Sequence, residues 1–211
     1  MRITEPMTLA TDYVLGGVAL VLAVSVFYHG QAEGQVAMRL WATALVMIAI
    51  AAFVGGSYHG FVEMLPPAMA RRLWTLTLAA AGFGSAALLA AAAVAGTGGA
   101  FQRVLVWIVI VKLACFIVVI SSRTEFIIVI VDYTSALGGV VLLAWLTVPS
   151  GLSDAARWIT AGVGVSVVAA LIQALRIAPH PRFNHNDLFH VVQTGALFLL
   201  YQGGLLIRDF R

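Results

Sequence analysis

The 211 residues are 62% hydrophobic and only 10% charged, with a mean hydropathy of +1.00, too apolar a surface for a soluble globule of this length to hide. A net charge of +3 arises from basic residues placed singly or in pairs, which leaves no footprint for nucleic-acid binding. The single cysteine, Cys115, stands in an apolar stretch and excludes an internal disulfide.

The opening MRITEPMTLATDY sets one arginine against Glu5 and Asp12, a poor n-region for a cleavable signal, so the first span is expected in the mature protein. Spans are predicted at Thr8 to Tyr28, Met38 to Val62, Ala68 to Ala95, Phe101 to Ser121, Thr124 to Thr147, Ser153 to Ile177 and Asn186 to Ile207. Each approaches the roughly 20 apolar residues that cross about 30 Å of hydrocarbon. Between them fall HGQAEG at 29 to 34, the Pro66/Pro67 pair, GTGG at 96 to 99, SSRTE at 121 to 125, PSG at 149 to 151 and PHP at 179 to 181; all are turn-forming. The expected fold is all-α: a polytopic seven-helix membrane bundle forming one domain over residues 1 to 211, without room for a soluble domain.

Short loops make successive helices antiparallel, so the N-terminus and the loops after spans two, four and six share one face, here called proximal. That face carries Arg2, Arg71, Arg72, Arg123, Arg176 and Arg182, against Arg39, Arg103, Arg157, Arg208 and Arg211 on the other. The bias points to a cytoplasmic N-terminus. Small residues inside the spans, among them Gly16/Gly17, Gly82/Gly84, Gly138/Gly139, Gly162/Gly164 and the Gly56/Gly60 GxxxG, are expected to let helix backbones approach closely.

Ionisable groups inside spans are costly in hydrocarbon and mark candidate sites. His59 near the end of span two and His190 near the start of span seven fall at one depth, on the order of 5 Å inside the proximal boundary at about 1.5 Å per residue. The same face collects Asp12, Glu63, Glu125, His185, Asn186 and Asp187. Helical spacing places Glu63 beside His59, and Asn186 and Asp187 beside His190. Gln193, Thr194, Leu197 and Tyr201 extend the His190 face into a stripe expected to turn inward. Ser57 sits about 200° around the helix from His59 and reads as a packing serine close to the site. Lys112, the only lysine, and Asp132 flank the turn at position 122 symmetrically, so they reach the same mid-membrane depth, roughly 15 Å from the boundary, as natural partners in a buried ion pair.

Three or four nitrogen and oxygen ligands at one level suit a catalytic zinc with an open position for water. His59 and His190 are the best ligands, His185 or Asp187 the third, and Glu63 an acceptor or general base beside them. These features resemble the superfamily that joins alkaline ceramidases, progestin and adipoQ receptors and related seven-span membrane hydrolases (the CREST superfamily). The resemblance lies in the span layout and in two segments, GGSYHGF at 55 to 61 and NHNDLFHVVQTG at 184 to 195. It implies a zinc held by one span-two and two span-seven histidines, with His59 and His190 in matching places, Asn186 where the family has its other span-seven histidine, and Gly55 in place of a serine. The implied function is hydrolysis of a lipid amide or ester, with a lipid substrate or ligand as partner. Other readings of the same residues are a bis-histidine haem on His59 and His190, a proton or ion path through Glu125, Asp132 and Lys112, a retinal on Lys112, and a membrane sensor without hydrolase activity.

Overall fold

The computed structural model describes residues 3–147 and 152–210; Arg2, Arg211 and the PSG break expected at 149 to 151 lie outside the described residues. Within them the chain forms seven α-helices: α1 (Pro6–Ala32), α2 (Val36–Phe61), α3 (Pro67–Gly96), α4 (Gly99–Ser122), α5 (Phe126–Leu146), α6 (Ala156–Ala174) and α7 (His185–Leu206). Helix ends follow local chemistry. Pro6 and Pro67 occupy first turns, where a missing N–H costs nothing. Gly34, at φ +67°, closes α1 as only a left-handed residue can, with the Gln35 N–H donating to the Gly30 carbonyl at 2.8 Å. Asn184 caps α7: its side chain accepts from the backbone N–H groups of Asn186 and Asp187, and Asp187 reaches back to the Asn184 N–H at 2.7 Å.

Six helices, α1 to α6, are long and apolar enough to cross a membrane, α2 together with the 3-10 turn at Val62–Met64 that follows it. These are the helices of a multi-pass membrane protein. The seventh, α7, carries the polar stripe and is the least apolar of them by that measure. Large apolar side chains such as Val21, Trp107, Val118 and Leu146 stand exposed, as lipid-facing residues must.

The helices close a ring in the order α1, α2, α3, α5, α6, α7 and back to α1, while α4 lies outside and packs on α3. The main core gathers at the distal end: Val26 from α1, Trp41 from α2, Leu88 from α3, Val140 from α5, Ile159 from α6 and Leu200 from α7. Small residues allow this packing. A Cβ on Gly162 would lie 2.8 Å from the Leu200 side chain and 3.0 Å from its backbone nitrogen, so α6 and α7 meet almost backbone to backbone. Asp209 ties the chain's end to this region by accepting from the Val36 and Ala37 N–H groups at 2.9 and 2.7 Å. Toward the proximal end the ring encloses a cavity instead.

Lys112 on α4 meets Asp132 on α5, Nζ to Oδ1 2.6 Å. Ser85 on α3 completes the contact: its hydroxyl lies 2.5 Å from Asp132 Oδ2 and 3.1 Å from Lys112 Nζ. Three helices are thereby joined, and the outlying α4 gains its polar anchor.

Candidate functional site

The cavity has a volume of about 250 Å³ and is lined from all six helices of the ring. Walking inward along each helix gives its polarity. On α1 Asp12 is followed by Leu15; on α2 His59 gives way to Gly55, Ala52 and Ile48; on α7 Asn186 and His190 come first. From His59 to Ile48 is about 16 Å of helix. Polar groups therefore crowd the proximal end and the deeper wall is mostly apolar.

At the polar end α1 and α7 are knitted together. His190 lies between two residues of α1, its Nε2 3.1 Å from Asp12 Oδ1 and its Nδ1 3.1 Å from the Thr11 hydroxyl. The Nε2–Oδ1 contact needs one proton, supplied by the imidazole or by the carboxyl. One turn earlier the Thr8 hydroxyl lies 2.8 Å from Asp187 Oδ1 and 3.1 Å from Glu5 Oε2. Asp12, Asp187 and His190 are 4%, 1% and 7% exposed, whereas Glu5, ahead of α1, is open enough to meet His59 Nδ1 at 3.5 Å. The hydrogen bond from the His59 imidazole holds the Glu5 carboxyl below its ordinary value, overriding the opposite effect of partial burial.

The rest of the wall is set by α3, α5 and α6. Gln173 donates to Asn186 Oδ1 at 2.8 Å, and Gln193 donates to the Ser166 hydroxyl at 3.2 Å. Trp74, Phe126 and Phe189 follow one another with ring centroids 6.1 and 6.2 Å apart, an aromatic arc running from α3 through α5 to α7.

His59, His190, Asn186 and Gln193, all expected from their spacing, line the cavity. Asp12 lines it too, and the others stand elsewhere. Glu63 does not share the His59 face, because α2 ends at Phe61 and the chain enters the 3-10 turn at Val62–Met64 before Pro66 and Pro67; it is exposed. Helical i, i+4 spacing fails where the helix has stopped. His185 starts α7 outside the wall, Asp187 is consumed as cap and α1 partner, and Ser57 bonds the Phe53 carbonyl and Tyr13 hydroxyl at 2.7 and 3.0 Å. Glu125 is the exposed N-cap of α5.

The contribution of α1 is larger than Asp12's place near a helix end indicates. Glu5, Thr8, Thr11 and Asp12 repeat at spacings of three and four, which is one helical face. Ser166 and Gln173 on α6, seven apart, carried the same kind of signal.

Zinc on His59, His190 and either His185 or Asp187 needs three donors turned to one point. Both nitrogens of His190 are engaged by Thr11 and Asp12, both oxygens of Asp187 by Thr8 and Asn184, and His59 Nδ1 by Glu5. Among the described residues no group of three His, Cys, Asp or Glu side chains is arranged to hold a metal ion. These donor atoms already have partners, which a metal ion or an axial haem would have to displace.

Five helices long and apolar enough to cross a membrane close with α7 around a cavity that holds a buried histidine–carboxylate pair, which defines the class: a multi-pass membrane protein with an internal polar site. The chain belongs to a family of unknown function (DUF6962), whose profile matches residues 7–209. No curated protein and no solved structure matches it.

Proposed function

We propose that this is a seven-span membrane protein that binds a lipid-like amphiphile inside its helix bundle, with the polar stripe of α7 turned toward the ligand. The observation that carries the proposal is the cavity's gradient, polar around Asp12, His59 and His190 and apolar toward Leu15, Ile48 and Leu137, which matches a molecule with a polar end and a hydrocarbon body. Access from the bilayer is supported by Thr134 on α5 and Val167 on α6, which line the cavity and are also exposed. Lipid retained by the detergent-purified protein, measured by native mass spectrometry, tests this. Wild type should carry a defined lipid-like adduct, and Ala81→Phe/Ala170→Phe, which fills the wall, should lose it while keeping its helicity. Equal retention by both would sink the proposal.

Hydrolysis of an ester or amide in the bound molecule is a second reading, favoured by the buried His190–Asp12 pair, which can hold or pass on a proton beside the ligand's polar group. It routes no step through a metal. A fluorogenic lipid ester and its amide counterpart, offered to wild type and to His190→Gln, test it: turnover should be lost in the variant, and turnover equal in both would refute it.

A further inference from the structure

Among the described residues, the polar end of the cavity is rich in acceptors and short of cations. Asp12 lines it, is 4% exposed, and has one oxygen on His190 while its buried Oδ2 has no hydrogen-bond partner among the described residues. A second residue of the polar end, Gln173 through Oε1, also carries a buried oxygen without a partner among the described residues. Among the described residues no lysine or arginine lines the cavity. Buried polar atoms are almost always satisfied, and a carboxylate oxygen above all. What is missing is a group that donates several hydrogen bonds.

The walls add a second requirement. Trp74, Phe126 and Phe189 line the same end, and aromatic faces attract a cation through their quadrupole. An alkanoate would set a second carboxylate against Asp12, which is repulsive in so dry a site. An alcohol brings one donor and no charge. A protonated primary amine brings three donors, a positive charge that complements Asp12, and a size that the aromatic arc can enclose. The deeper apolar wall asks for a hydrocarbon chain behind it.

We infer that the cavity takes the protonated amine of a long-chain amphiphile, with Asp12 as its counter-ion and Trp74, Phe126 and Phe189 around its head. The inference rests on the proposal that the cavity is a ligand site and names the ligand's chemistry. In this arrangement Asp12 turns its unpartnered Oδ2 toward the amine, His190 keeps hold of the other carboxylate oxygen, and the chain runs toward Ile48.

The test uses three probes of one chain length, undecylamine, undecanol and undecanoate, added at neutral pH to the protein in a non-ionic detergent. An indole's emission responds to a group placed against its ring, and subtracting the signal of Trp74→Phe isolates Trp74, which stands where the head is placed. The amine should change Trp74 emission saturably at a concentration roughly tenfold or more below that of the other two, and Asp12→Asn should abolish that preference. The alcohol or the acid acting at an equal or lower concentration than the amine would overturn the amine assignment and leave the cavity as a ligand site. Absence of a saturable Trp74 response to all three would overturn the cavity proposal itself. A preference that survives in an Asp12→Asn protein of wild-type helicity and thermal midpoint would overturn the role of Asp12. Should that variant fail to fold, the comparison of the three probes on wild type still decides the ligand class.

Discussion

Replacing Lys112 by methionine removes the cation paired with Asp132 and leaves a carboxylate, 9% exposed in its side chain, with the Ser85 hydroxyl as its remaining side-chain partner among the described residues. Breaking a buried pair from one side costs about 3–5 kcal/mol, because the surviving charge stays desolvated and uncompensated. Asp132→Leu is the mirror case and strands the ammonium with Ser85 alone. The double variant Lys112→Met/Asp132→Leu behaves differently. Both charges leave together, and the Ser85 hydroxyl still donates to the Gly82 carbonyl at 2.9 Å, so no buried polar group is orphaned. The double variant should therefore lie within about 1 kcal/mol of wild type, less destabilised than either single variant, with a coupling energy of about 5 kcal/mol or more. Equilibrium unfolding in mixed micelles with increasing SDS fraction measures all four proteins on one scale. Additive losses would refute the clamp, and so would single variants as stable as wild type.

Three further outcomes follow from the packing and the caps. Asp209→Ala should lose about 0.5–2 kcal/mol by uncapping α2, and an unchanged thermal midpoint would contradict the capping role. Gly162→Ala should destabilise by about 1–3 kcal/mol because its Cβ meets the Leu200 backbone, while Gly164→Ala, with nothing within 4 Å, should be neutral or better; the reverse order in an unfolding assay would overturn the assigned α6–α7 contact. Glu5 has a folded-state pKa below its ordinary 4.5, so its contribution to stability is complete above that value and disappears as pH falls through the lower folded one. A Glu5→Gln protein should lose that acid-limb dependence, and superimposable pH–stability curves for the two proteins would show that the His59–Glu5 contact contributes nothing.

Much of this architecture is legible along the chain. Apolar runs of span length, punctuated by Pro, Gly and Ser clusters, define the helices because hydropathy and turn chemistry are local properties. Antiparallel alternation then assigns each intramembrane polar residue a depth, which is why His59 and His190 could be placed at one level, and Lys112 and Asp132 at another, from residue counting alone. Counting along a helix works only while the helix lasts. Glu63 was misplaced for that reason, since the proline pair downstream ends α2 before its last turn.

Which residues face one another was decided only by the tertiary structure. In lipid a valine facing hydrocarbon and a valine facing another helix look alike, so sequence periodicity does not separate an outlying helix such as α4 from a member of the ring. Asp12 illustrates the difference: by position it belongs among hydrated interfacial acids, yet the approach of α1 to α7 buries it against His190 and leaves one oxygen unpartnered. The aromatic arc of Trp74, Phe126 and Phe189 likewise joins three helices that are distant in the chain. Ring closure, driven at the distal end by glycines and alanines that let backbones touch, leaves the proximal end open as a cavity, and no local pattern encodes that void.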